Sequence, residues 1–175
     1  MTLMTNRRMA AYVGIAALAT IAGVGVAWQR HQAGVLPVDV MDAFWSSEFE
    51  TPSGEVMLMS SFKGHPLVIN FWATWCTPCV EEMPLIDSFF SENKHKNWQV
   101  IGLAIDQPSR VRQFLSQFPV QYPIGLAGLS GTALAKRLGN EVGGLPFTVV
   151  FDAEGRLIHR KVGKLTANEI KNWAE

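Results

Sequence analysis

Cysteine is scarce in this chain: there are two in 175 residues, and they stand three positions apart. Two thiols are too few for a disulfide framework or for a self-contained four-thiolate zinc site. A surplus of charge is missing as well, since 15 basic and 15 acidic side chains leave a formal net charge of zero. Nucleic-acid binders usually carry a basic excess or a basic face, so the neutral balance argues against that class. Charged residues make up only 17% against 48% hydrophobic, which excludes a disordered chain and allows a substantial core. The sequence contains no internal repeat and no low-complexity tract. Its length suits one domain with an appendage, because single domains commonly run about 100–200 residues.

Charge is absent altogether from Met9 to Trp28, a stretch of twenty residues. As a helix it would span about 30 Å, roughly the hydrocarbon thickness of a bilayer. Arg7 and Arg8 precede it, and the positive-inside tendency keeps such an N-terminus cytoplasmic. A cleaved signal peptide competes, with Gly25 and Ala27 as the small residues before a cut at Trp28. Cleavable apolar cores usually run about 7–15 residues, so the length favours a retained anchor. No cysteine follows the segment, which excludes a lipoprotein. The expected organisation is a cytoplasmic N-terminus over 1–8, a single-pass transmembrane anchor over 9–28, a linker over 29–37 and a domain over 38–175 outside the cytoplasm. Arg7, Arg8 and Arg30 stand ahead of that domain and leave it 12 basic against 15 acidic residues, a mildly acidic balance.

Within the domain, a strand pair is expected around Phe44–Glu50 and Glu55–Met59, turning at Pro52-Ser53-Gly54. The apolar run Leu67–Trp72 suits a strand buried on both faces, and a helix should follow from Thr77 to Asn93. Trp98–Ile105 reads as a second buried strand, and Ser109 can cap a helix through Phe118. Ser130–Leu138 reads as a helix stopped by Gly139. Phe147–Phe151 and Leu157–Val162 read as a hairpin, and Thr166 with Glu169 as the capping box of a last helix. Right-handed crossovers place the first two buried strands parallel, with helices on both faces. The fold class is α/β: a mixed central sheet flanked by helices. Sites in such sheets lie where helices begin after parallel strands.

Cys76 and Cys79 fall at that place, in Trp75-Cys76-Thr77-Pro78-Cys79 between strand and helix. A thiol at a helix N-terminus meets unpaired N–H groups and the positive end of the dipole, which favour the thiolate. Two thiols one turn apart can close and reopen a small disulfide, Cys76 attacking a substrate disulfide and Cys79 resolving the mixed one. Pro78 suits the first helical turn, where its missing N–H has no partner to lose. Three other readings compete. A structural disulfide closing so small a loop stabilises little. Half a metal site would need His31, His65, His95 or His159, none of which shows ligand spacing. A one-cysteine peroxidase would need two residues between threonine and cysteine, where Thr74 and Cys76 have one between them. Motif and strand–turn–helix context together favour dithiol exchange.

From about Trp45 to Glu175 the chain resembles the membrane-anchored thioredoxin-like proteins of the TlpA/ResA type. The resemblance rests on Asn70-Phe71-Trp72-Ala73-Thr74-Trp75-Cys76-Thr77-Pro78-Cys79, on Glu81-Glu82-Met83-Pro84, and on Gly144-Leu145-Pro146-Phe147-Thr148 with Asp152 and Gly155. It implies a thioredoxin fold and thiol–disulfide exchange on protein disulfides at the periplasmic side of the inner membrane, with no organic cofactor and no metal. It implies a cis bond before Pro146, a Leu145 backbone that meets the substrate, and a Thr77-Pro78 pair that influences the redox potential, while Trp75 flanks the site, where it can shield the sulfurs or meet the substrate. Trp72 is expected in the core. Glu82 is expected to take the Cys79 proton, the more so because Asn70 stands where thioredoxin has a titrating aspartate. The resemblance further suggests a specific reductase serving apocytochrome c or copper-site maturation, supplied with electrons by a membrane partner. A disulfide oxidase or isomerase and a copper-handling dithiol module are the alternatives.

Overall fold

The computed structural model describes residues 36–174. The expected anchor over 9–28 and most of the linker lie outside them. In chain order the elements are α1 (Val38–Trp45), β1 (Glu48–Glu50), β2 (Val56–Leu58), β3 (Leu67–Trp72), α2 (Thr77–Asn93), β4 (Gln99–Ala104), α3 (Pro108–Gln117), β5 (Ile124–Leu126), α4 (Ser130–Arg137), β6 (Phe147–Phe151), β7 (Leu157–Val162) and α5 (Ala167–Lys171). All six residues of β3 are buried, as befits a strand covered on both faces. It lies near the middle of a mixed sheet ordered β2-β1-β5-β4-β3-β6-β7. β3, β4 and β5 run parallel, whereas β6 is antiparallel to β3 and β7 to β6.

Strand alternation divides β3 between two cores. Val68 and Trp72 join Met83, Ile86 and Phe89 of α2, Val111 of α3 and Ile170 of α5 on one face. Leu67, Ile69 and Phe71 join Phe44 and Trp45 of α1 and Ala135 of α4 on the other. A mixed sheet between two helical layers, with its parallel crossovers and terminal hairpin, is the thioredoxin-like arrangement that the resemblance implies. Thr166 caps α5 in a reciprocal box, the Glu169 N–H donating to its hydroxyl while its own N–H donates to the Glu169 carboxylate.

Three expectations need correction. Phe44 and Trp45 close a helix, and only Glu48–Glu50 of the expected strand is strand. Helical spacing lets both rings reach the same neighbour, with centroids 5.3 and 5.6 Å from that of Phe151. β5 was not foreseen at all: it is three residues long and preceded by Pro123, so it has no alternation to read. The helix expected to be capped by Ser109 begins at Pro108 instead. Proline's fixed φ suits the first turn, and the Asp106 carboxylate accepts from the Gln107 N–H just ahead of it.

Candidate active site

β3 ends at Trp72, and the next four residues turn the chain into α2, whose N-cap is Cys76. The Cys76 carbonyl accepts from Cys79 N–H at 3.0 Å and Val80 N–H at 3.1 Å, so the first helical turn is closed by the motif itself. Cys76 and Cys79 form a disulfide with Cα atoms 5.3 Å apart. Cys76 keeps 6% of its surface exposed and Cys79 none, so an incoming group meets Cys76 first. Thr77 and Pro78 are exposed between them. Trp75 stands 64% exposed beside the pair, while Trp72 is fully buried against Phe114.

The loop ahead of Cys76 is pinned from the turn that follows β4. Asp106 Oδ2 accepts from Thr74 N–H at 2.9 Å and from Thr74 Oγ1 at 2.5 Å. Burial pushes the Asp106 pKa up, but donations from Thr74 and Gln107 and the nearby Arg110 outweigh it and hold the group below its ordinary value. Asp106 played no part in the sequence reading. Its place directly after a parallel strand, on the edge where such sheets carry their sites, was the available signal.

The Leu145–Pro146 bond is cis and opens β6. The pairing of Phe71 with Phe147 places that bond at the sheet end from which the Cys76 loop leaves β3. Gly163 N–H donates to the Pro146 carbonyl at 2.8 Å, and Asn140 Nδ2 donates to the Gly144 carbonyl at 2.8 Å, holding both sides of the turn.

Glu82 lies one turn beyond Cys79 on α2 and is completely buried. Its Oε1 accepts from Asn70 Nδ2 at 2.7 Å and its Oε2 from the Leu165 N–H at 2.6 Å. Burial raises its pKa, and the two donors with the charges of Lys161 and Lys164 offset that only in part. The neighbouring Glu81 faces solvent and pairs with Lys164 at 2.7 Å. Leu165 was missed by sequence reasoning, and a backbone donation from a remote loop leaves no mark on the sequence. Among the described residues, no three His, Cys, Asp or Glu side chains are grouped to hold a metal.

Residues 39–174 match the family described as Redoxin. The chain belongs to that family. Among redoxins it is 28% identical over 124 residues to the thiol-disulfide oxidoreductase ResA of Bacillus cereus, covering 70% of this chain and 69% of that one. It is 34% identical over 125 residues to the thiol:disulfide interchange protein DsbE of Vibrio cholerae, covering 70% and 61%. A crystal structure of a thioredoxin-family thiol:disulfide interchange protein from Chlorobium tepidum matches with a TM-score of 0.65 at 25% identity, over 74% and 92% of the two chains. With its own Cys-x-x-Cys disulfide in place, this redoxin is a thiol–disulfide oxidoreductase. Redoxins of this fold act through that disulfide without a cofactor.

Proposed function

We propose that the chain is a reductase of specific protein disulfides, held in the inner membrane with its redoxin domain in the periplasm. The observation that carries the exchange chemistry is the buried Glu82, one helical turn from the buried Cys79, and the reductive direction is suggested by the likeness to TlpA/ResA-type proteins. In the reduced enzyme, the Cys76 thiolate attacks a substrate disulfide, forms a mixed disulfide and expels one substrate thiolate. Glu82 then takes the proton of Cys79, whose thiolate attacks Cys76 and expels the second substrate sulfur. The Cys76–Cys79 disulfide is left behind, two electrons have passed to the substrate, and the Glu82 proton goes to the departing thiolate or to water. An acceptor of raised proton affinity beside the resolving thiol speeds this closing step and, equally, its reverse. Cys76 is the attacking thiolate, Cys79 the resolving thiol and Glu82 the acceptor. Trp75, Leu145 and cis-Pro146 receive an extended substrate segment, and Thr77 and Pro78 tune the pair.

The substrate class suggested by the likeness to TlpA/ResA-type proteins is apocytochrome c or a copper-site protein. A membrane partner that brings reducing power outward then returns the disulfide to the dithiol. The test is the reduction potential of the Cys76–Cys79 pair in the full-length chain, equilibrated against a thiol buffer with free thiols trapped. A value near about −270 mV or lower is expected for a reductase, and one near about −120 mV would mark a disulfide donor instead.

A further inference from the structure

Asn70 is costly where it stands if its role is only to pack. It is fully buried at the centre of β3, and its Oδ1 finds no partner among the described residues. An unpaired buried acceptor is destabilising, and an apolar side chain of the same size would avoid that cost. Both hydrogens of the same amide are used, however. One goes to Glu82 Oε1 at 2.7 Å and the other to Thr148 Oγ1 at 3.0 Å. Thr148 is the direct cross-strand partner of Asn70 on β6 and is itself buried, so strand register delivers it to the amide. Beyond it in the same row, Thr148 pairs with Lys161 of β7, whose ammonium is held by Glu169.

We propose that Asn70 and Thr148 are a positioning pair for Glu82: Thr148 anchors one amide hydrogen of Asn70, aims the other at Oε1, and so keeps Glu82 in the charged form that accepts a proton. A buried carboxyl without such donors would stay protonated and could take nothing from Cys79. Asn70 suits the place because its amide donates two hydrogens and stays neutral, so it cannot compete for the proton. The other groups around the carboxylate are the Leu165 N–H, Lys161 of β7, Lys164 after β7, the Cys79 thiol of the same helix, and the buried phenol of Tyr122 ahead of β5. Of these, only the Leu165 N–H joins Asn70 in hydrogen bonding to Glu82.

The inference rests on disulfide exchange by Cys76 and Cys79, whichever way the electrons flow. It is tested in the full-length chain by following the Glu82 carboxyl carbon by NMR against pH, the signal being assigned by its loss in Glu82→Gln. The first-order closing of the mixed disulfide formed between reduced enzyme and an aromatic disulfide is timed over the same pH range. In Asn70→Ala, loss of one donor should raise the Glu82 midpoint by about one pH unit, a tenfold gain in proton affinity, and move the acid limb of the closing rate with it. Thr148→Val should shift it in the same direction by about threefold, and Thr148→Ser should restore it. A side chain that only supports the fold would lower the rate at every pH and leave the midpoint in place. Unmoved midpoints in Asn70→Ala and Thr148→Val overturn the proposal, and where Asn70→Ala does not fold, the Thr148 pair decides. A wild-type disulfide that never cycles would defeat the functional reading instead, while the carboxyl titration would still judge the positioning pair.

Discussion

At Glu82 a functional group is held at the expense of stability, and the sign of that conflict follows from the direction of its pKa. That pKa is raised in the folded protein, so between the unfolded value of about 4.3 and the folded one the native state binds more protons than the unfolded state. Stability therefore falls as pH rises through that interval, and the full cost is present above the folded pKa. Glu82→Gln removes the charge while its amide oxygen can still accept from Leu165. The variant should melt higher than wild type at pH 8, by about 1.4 kcal/mol for each pH unit between the unfolded and folded midpoints, and show no advantage below about pH 4. Thermal melts across pH would check it, and a variant that melts lower at pH 8 would sink the account. The structure shows the Cys76–Cys79 disulfide, the cis bond before Pro146 and the burial of Glu82. The cysteine pair was legible in residue type and spacing, whereas Pro146 and Glu82 stood out only through the resemblance to TlpA/ResA-type proteins. The environment of Glu82 was legible in neither. Asn70 was seen only as a residue that does not titrate, since its use as a donor depends on a cross-strand register that brings together positions 78 apart.

Among the elements, sequence pattern was most reliable where a run was long or its cap chemical. β3, α2 and the β6–β7 hairpin fall within the limits that apolar runs and turn residues set. α1 and β5 were lost for opposite reasons: the aromatic pair Phe44-Trp45 suits a strand as well as a helix, and three residues cannot show a period. The loop from β3 to α2 is the element on which the attacking sulfur depends, and Asp106 is its fastening. Asp106→Ala should destabilise the protein by about 1 kcal/mol, since it removes hydrogen bonds to a charged group that is partly exposed and hence partly screened. The Asp106 pKa is lowered on folding, so its contribution is complete above the unfolded value of about 3.9 and is lost as pH falls through the folded one. Denaturant titrations at pH 7 and pH 3 read this directly: the gap between variant and wild type should narrow in acid. An equal gap at both pH values would mean that the hydroxyl and amide of Thr74 gain nothing from the charge.

For the whole molecule, the proposed anchoring and periplasmic placement of the redoxin domain decide which partner it needs. The proposed placement rests on twenty uncharged residues over 9–28, long enough as a helix to span a bilayer, and on Arg7 and Arg8 ahead of them, which fit the positive-inside tendency. A domain delivered outside would find its dithiol in an oxidising compartment, where a reductase works only if a membrane partner keeps re-reducing it. Anchoring beside such a partner raises the effective concentration of each for the other, so cleavage of the segment would slow re-reduction even though the domain stayed intact. Full-length chain expressed in a bacterium with two membranes should stay with the membrane pellet after carbonate washing and retain its N-terminal segment by mass. Its reduced cysteines should react with a membrane-impermeant maleimide once the outer membrane alone is opened. A soluble product beginning near Trp28 would establish cleavage and leave the periplasmic assignment standing. Thiols that react only after the inner membrane is broken would place the domain in the cytoplasm, and the requirement for an outward electron carrier would fall with it.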